Sequence, residues 1–439
     1  MHPERFGVGM NSRRYGFMSR DLGGSEKVVE YLADKPEKMP DPQEDWERYC
    51  RVSYEYDQVA ENAEALQPAI RLFYQRIIRD ILTGEPDKNS VCSPVNIYLT
   101  LTILAEITAG NTQKQILKLL GVQDPDGLSA AAELIWKANN RDELHGICTL
   151  SNSVWMKAEE SENFNEQTLL TLRDRYHADS FVGKMGSEAF DQRLQKWVNE
   201  STGRKLENEV KGLRFSPMTL LALCSAIYFK AEWEKGFFET ETEKAVFYGQ
   251  DSKSECDMMH RSCRMNYYYG EHFGAVGLDM KYPATMYFVL PDEGIAADDV
   301  LADKALYQLF SDGCNYQNRR EAKVELFIPK FNVHQQTDLS GVLKRMGITD
   351  AFNLKHADYS RIKSQGDPLV LNKADHTAMI EIDEEGVSGA AYTIVRMIGS
   401  LPPKSPAEKI VFCADRPFIY AVTGPDGSIL FAGMVRNLP

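Results

Sequence analysis

The chain has 439 residues, 43% hydrophobic, 10% aromatic and 26% charged, the profile of a globular protein able to bury a large core. Fifty basic against 64 acidic residues leave a net charge of −14, which argues against nucleic acid or an anionic membrane surface as the main partner. At roughly 150 residues per domain, the length alone predicts about three domains.

Residues 1–62 are rich in charge, Gly and Pro (Pro36, Pro40, Pro42) and read as an N-terminal extension, charged and partly disordered. The start, Met1-His2-Pro3-Glu4-Arg5-Phe6, lacks the apolar core of a secretory signal. As written the chain reads as cytoplasmic; with a leader removed, it would be secreted into the extracellular space. No run approaches the ~18 apolar residues of a membrane span. Across residues 67–82, apolar positions 70, 73, 77, 78 and 81 follow the helical period, with Pro68 in the first turn and Gly84 past the end. Ser93-Pro94 predicts a second helix with Ser as its cap and Pro at its first position. Residues 112–120 predict a third, ended by Gly121. Residues 219–230 form a near-continuous apolar run, as in a strand covered on both faces. Residues 324–329 and 377–382 partly alternate. Residues 410–414, 418–422 and 428–435 predict a β-rich end, with Pro425-Asp426-Gly427 as a turn. The mixture is α+β.

Eight cysteines are spread without a C-x-x-C pair, which argues against a zinc ribbon or a disulfide-dense scaffold. Cys92 and Cys224 lie in apolar runs and read as small buried hydrophobes. The chain has no G-x-S-x-G elbow, H-E-x-x-H pair, phosphate-binding loop or dinucleotide turn, so no hydrolase chemistry is indicated. One segment is physically odd. Residues 384–403 are flanked like a surface connection, acidic before and Pro402-Pro403 after, yet carry no charge from Gly386 to Val395. Small residues there give way to β-formers, so an exposed stretch would pair with any open strand. Either it is an ordinary hairpin, or it is kept outside a sheet and built to enter it.

Asn89-Ser90-Val91-Cys92-Ser93-Pro94 resembles the N-x-x-x-S-P opening of a central helix in the serpin family. Trp197-Val198-Asn199 with Thr202-Gly203-Arg204-Lys205-Leu206 is similar to a second family region, and Tyr228-Phe229-Lys230 with Trp233 and Phe237 to a third. Ile328-Pro329-Lys330-Phe331, Asp415-Arg416-Pro417-Phe418 and Leu430-Phe431-Ala432-Gly433 continue the match in order. The resemblance covers about 375 residues, so residues 63–439 are expected to form one serpin domain.

The resemblance implies a serpin fold with three β-sheets, about eight or nine helices and an exposed reactive loop. It also implies a monomer that needs no cofactor and performs no catalysis. Such a protein traps a serine protease as an acyl-enzyme when its cut loop enters the large sheet as a strand. Glu384-Glu385-Gly386 matches the family hinge, continued by Val387, Ser388, Gly389, Ala390 and Ala391. Gly386 is expected to supply bending freedom. By period-2 counting Val387, Gly389, Ala391 and Thr393 face inward, and none is charged or large. Val387 and Gly389 depart from the family's usual Thr or Ser and Ala.

The reactive bond is Ser400-Leu401 when counted from Gly386, or Gly399-Ser400 when counted back from Pro402-Pro403. Small residues there suit an elastase- or subtilisin-like target held in a covalent complex, whereas Arg396, which would suit a trypsin-like one, lies too near the hinge. The sheet-opening region by resemblance comprises Ser93, Asn96, Ser225, Trp233 and His376, with Asn and Ser exchanged relative to the family. Asn96 or Ser225 is therefore expected to bond the His376 imidazole. The alternatives are a non-inhibitory serpin (carrier, storage protein or chaperone) and an interaction protein working through its extension.

Overall fold

The computed structural model describes residues 28–33, 38–122, 125–205, 210–363, 365–387 and 409–439. An eight-stranded sheet runs β1 (Val29–Tyr31), β5 (Ala178–Gly183), β4 (Gly146–Lys157), β6 (Leu221–Glu232), β14 (Gly386–Val387), β13 (Asp375–Ile382) and β12 (Phe331–Asp338). Its eighth strand, β3 (Arg141–Glu143), pairs with β4. A nine-stranded sheet begins β15 (Lys409–Cys413), β11 (Arg319–Pro329), β8 (Lys253–Tyr269) and β9 (Phe273–Asp279). It continues through β10 (Thr285–Pro291), β16 (Phe418–Thr423), β17 (Ile429–Val435) and β2 (Ser90–Cys92), with β7 (Glu243–Tyr248) paired to β8.

Three sheets were expected, and hydrogen bonding joins two of them into one path. The cause is β8, whose 17 residues pair with β7 and β11 and then, at Tyr267–Tyr269, with β9.

Ten α-helices lie wholly within the described residues: α1 (Trp46–Glu64), α2 (Gln67–Leu82), α3 (Pro94–Ile107), α4 (Gly110–Leu120), α5 (Pro125–Asn139), α6 (Glu166–Tyr176), α7 (Glu188–Ser201), α8 (Ala297–Val300), α9 (Lys304–Ser311) and α10 (Leu339–Arg345). This exceeds the expected eight or nine, in part because α1 falls in the segment read as an extension. Helix α2 buries Ile70, Phe73, Ile77, Ile78 and Ile81, the apolar stripe read from the sequence. Ser93 Oγ accepts from Asn96 N at 3.4 Å to cap α3, and Gly121 ends α4 at φ 75°. Helix α3 is buried along almost its whole length, packed against β6 of the first sheet and β17 of the second.

A separate apolar cluster, Trp155, Phe181, Phe190, Leu194 and Trp197, holds α7 on the first sheet. All eight cysteines are free; Cys92 is buried as expected, while Cys224 is half-buried beside the α7 cluster.

The N-terminal residues join this fold. Strand β1 lies antiparallel to β5, and α1, capped by Asp45 Oδ1 from Arg48 N at 3.0 Å, packs on α5 through Ala60, Ala63 and Ala138. The expected division at residue 62 falls inside α1.

Strand β6 was expected to be covered on both faces, but most of its residues are only half-buried. Below Ala231 it has β4 as its single partner among the described residues.

Candidate functional site

Strand β13 ends at Ile382, and a turn returns the chain so that Val387 pairs with Ile382. The turn is fixed locally. Asp383 Oδ1 accepts from Glu385 N at 3.0 Å and Gly386 N at 3.1 Å, and Asp383 N donates to Gly386 O at 3.1 Å. On its other side β14 pairs Gly386 with Glu232 and Val387 with Ala231. A Cβ at position 386 would stand 2.1 Å from Ala231 O, so a glycine is required there by close approach of two backbones.

The turn is clamped from the segment after β6. Trp233 N donates to Glu385 O at 2.9 Å, Phe237 N to Glu384 O at 2.9 Å, and Trp233 Nε1 to Asp383 O at 3.0 Å. The Trp233 ring is buried, edge-on to Phe237. The Glu384 carboxylate is buried between Lys330 Nζ at 2.8 Å and Thr242 Oγ1, which donates at 2.8 Å. Burial raises its pKa, but Lys330 and Thr242 outweigh this and hold it below the ordinary glutamate value. Glu385 goes the other way, pushed up by burial and by the Asp383, Glu239 and Glu232 carboxylates.

Below Val387 no described strand lies between β6 and β13. Strands β6 and β13 are not bonded to each other among the described residues. A narrow slot lies between them, walled by Ile227, Tyr228 and Phe229 on one side and residues 377–381 on the other. Thr202 and Lys205, just past α7, also line it, and Lys205 Nζ reaches Glu381 at 3.1 Å to tie the α7 side to β13.

At the start of β13, His376 is buried and its Nε2 accepts from Ser93 N at 2.9 Å. Asn96 and Ser225 bond each other and not the imidazole, which corrects the expected contact. The Ser93 backbone amide already occupies the ring nitrogen. Ser225 Oγ also donates to Asn152 Oδ1 at 2.8 Å, and Asn152 Nδ2 donates to Tyr176 O at 3.1 Å. A hydroxyl has one proton, so with Asn152 committed as acceptor, Asn96 must turn its amide donor toward Ser225. The exchanged Asn and Ser thus form a closed network with a third residue, Asn152, that no sequence motif marked.

Burial alone lowers the His376 pKa to about 4, so the ring is neutral in the folded protein at neutral pH. Unfolding would let it take up a proton at any pH between that value and about 6.5. Its contribution to stability is therefore complete above pH ~6.5 and is lost progressively down to about 4, a loss on the order of 3 kcal/mol. Urea unfolding at pH 7.5 and 4.5 is expected to show this loss, and His376→Gln, which keeps an acceptor, to reduce it. An equal loss in that variant would assign the effect elsewhere.

The structure brings Glu384, Glu385, Gly386, Val387 and Trp233 together at the head of the slot, and Ser93, Asn96, Ser225 and His376 at its far end. Ser388, Gly389, Ala390, Ala391, Gly399, Ser400 and Leu401 lie outside the described residues. Sequence reasoning missed Thr242 and the pairing of Lys330 with Glu384; the Ile-Pro-Lys-Phe motif contained Lys330 but not its distant partner.

The family model described as Serpin (serine protease inhibitor) matches residues 69–438. Serpin B9 of Homo sapiens is 27% identical over 380 residues, covering 84% of this chain and 98% of the relative. A serine protease inhibitor of Cyanea capillata is 29% identical, covering 80% of this chain and 93% of the relative. Among solved structures, thyroxine-binding globulin in complex with thyroxine aligns with a TM-score of 0.72 at 24% identity, over 84% of this chain and 98% of that one, a likeness of fold.

Proposed function

The chain belongs to the serpin family, and on that premise we propose that it is a suicide-type inhibitor of a serine protease. The observation that carries this reading is β14, where Gly386 and Val387 are seated between β6 and β13 and paired antiparallel on both sides, above a slot that no described strand occupies. Extending its register would set Ser388 opposite Lys230 on β6 and Glu381 on β13, with each later residue one step further down. The buried Val387 side chain supports the inward alternation.

In the proposed sequence the protease serine attacks the carbonyl of Ser400 or Gly399. The amine of Leu401 or Ser400 leaves, and an ester joins protease and loop. The freed strand then fills the slot, carries the protease with it, and the ester outlives the distorted protease. The chain supplies bait and sheet, with no catalytic group of its own. The native state is a kinetic trap, less stable than the filled one. Residues 63–439 form the inhibitory unit, and a shallow-pocket protease of elastase or subtilisin type is the target.

Incubation with elastase, subtilisin or trypsin is expected to give a covalent complex that survives denaturing gels, with elastase or subtilisin and not trypsin. Clean cleavage without a complex, and no gain in thermal stability on cutting, would favour the non-inhibitory reading.

A further inference from the structure

The described residues before α2, 28–33 and 38–64, are attached to the first sheet and to α5. Strand β1 adds to the free edge of β5, pairing Val29 with Val182, Glu30 with Phe181 and Tyr31 with Ser180. Three contacts carry that attachment onto α7. Val28 packs into the apolar cluster beneath the helix. Arg193 of α7 donates through Nε and Nη2 to the Glu30 carboxylate, its guanidinium stacked 4.7 Å over Phe181. Both partners are shielded, with side chains 11% and 26% exposed. Asp179 accepts from Ala33 N at 2.9 Å through one oxygen and from Trp197 Nε1 of α7 at 2.9 Å through the other.

The segment is fixed again downstream. Met39 N donates to Asp142 O at 2.9 Å, and the buried Arg141 donates to Tyr56 O at 2.8 Å with its charge over the Tyr56 ring. It is thus a strap pinned at both ends, with α7 under its first clasp.

Helix α7 matters because the chain leaving its C-terminal end borders the slot. Thr202 and Lys205 line it, and a Cβ at Gly203 would stand 2.5 Å from the Tyr228 ring on the slot wall. A strand running down from Val387 must pass this turn, break the Lys205–Glu381 tie and let the α7 end shift. We propose that residues 28–33 and 38–64 act as a brake on strand entry, holding α7 against the sheet through the Glu30–Arg193 clasp so that the uncut loop stays out. This rests on the strand-insertion reading above and adds to it a second role for the N-terminal residues.

The test uses the full chain with Glu30→Arg, Arg193→Glu and the charge-swapped double variant. The uncut protein is warmed, and conversion to a form that resists unfolding and no longer captures elastase is followed in time. Each single variant is expected to convert about tenfold faster, and the double variant to return near the wild-type rate. Hydrogen exchange of the α7 amides should rise and recover in parallel. Equal conversion rates in all four proteins would overturn the brake, as would unchanged α7 exchange, whatever the loop does. A wild-type protein that gains no stability when cut would instead remove the insertion reading, a result the exchange data cannot mimic.

Discussion

Val387→Arg is expected to abolish the covalent complex, lowering its yield a hundredfold or more, while the loop is still cut. Val387 is 2% exposed, flanked by Ala231 and Ile382, and faces the sheet interior. Desolvating an unpaired guanidinium there costs several kcal/mol. Arginine would therefore hold the hinge out of the sheet, and a strand that cannot start cannot fill the slot. The ester would then be hydrolysed at the protease's own rate. The native fold should survive, because withdrawing Gly386 and Val387 gives up only their pairings with Glu232, Ala231 and Ile382. The measurement is the ratio of complex to cleaved product on denaturing gels with elastase or subtilisin. Wild-type complex yield from the variant would refute the inward role of Val387.

Among substitutions at the clamp, Glu384→Lys should cost the fold most. It replaces a 2.8 Å ion pair by two ammonium groups and leaves the Thr242 hydroxyl without its acceptor. Breaking a fully buried pair costs about 3–5 kcal/mol; Lys330 keeps 39% of its side-chain exposure, so solvent screening brings the expectation to about 2 kcal/mol. The urea midpoint should fall accordingly, and Lys330→Glu in the same chain should recover part of it. An unchanged midpoint would mean that the clamp rests on the Trp233 and Phe237 backbone bonds alone.

What the sequence made legible was local or came in family order. Helix α2 shows its buried stripe in five apolar positions, and the start of α3 is announced by a serine cap and a proline. Helix α1 was hidden because only Val52, Ala60 and Ala63 of its 19 residues are buried. Two alanines and a valine are too little apolar surface to stand out in a segment rich in charge. The slot was invisible for another reason. The apolar run of β6 reads the same whether its neighbour is present or missing, since side-chain pattern reports faces and not hydrogen-bonded edges. Glu384, Glu385, Gly386 and Val387 were picked out by resemblance, yet the need for glycine at 386 comes from Ala231 O, distant in sequence. The exchanged Asn96 and Ser225 pointed to a shared network, but its third member, Asn152, is supplied by β4. Length misled outright: the division into about three domains counted one continuous family match over residues 69–438.

The pairing of β14 on both its edges says where the reserve of such a molecule resides. Under strand insertion, each further residue laid between β6 and β13 adds backbone hydrogen bonds, at a net gain of roughly 1 kcal/mol apiece. On the proposed mechanism the drive is therefore delocalised along the whole slot, from Lys230 down, and not concentrated in one strained bond. A substitution anywhere along either wall can change how far the native state lies above the filled one. Sensitivity to mutation in such a protein would follow the length of the missing strand rather than distance from the reactive bond.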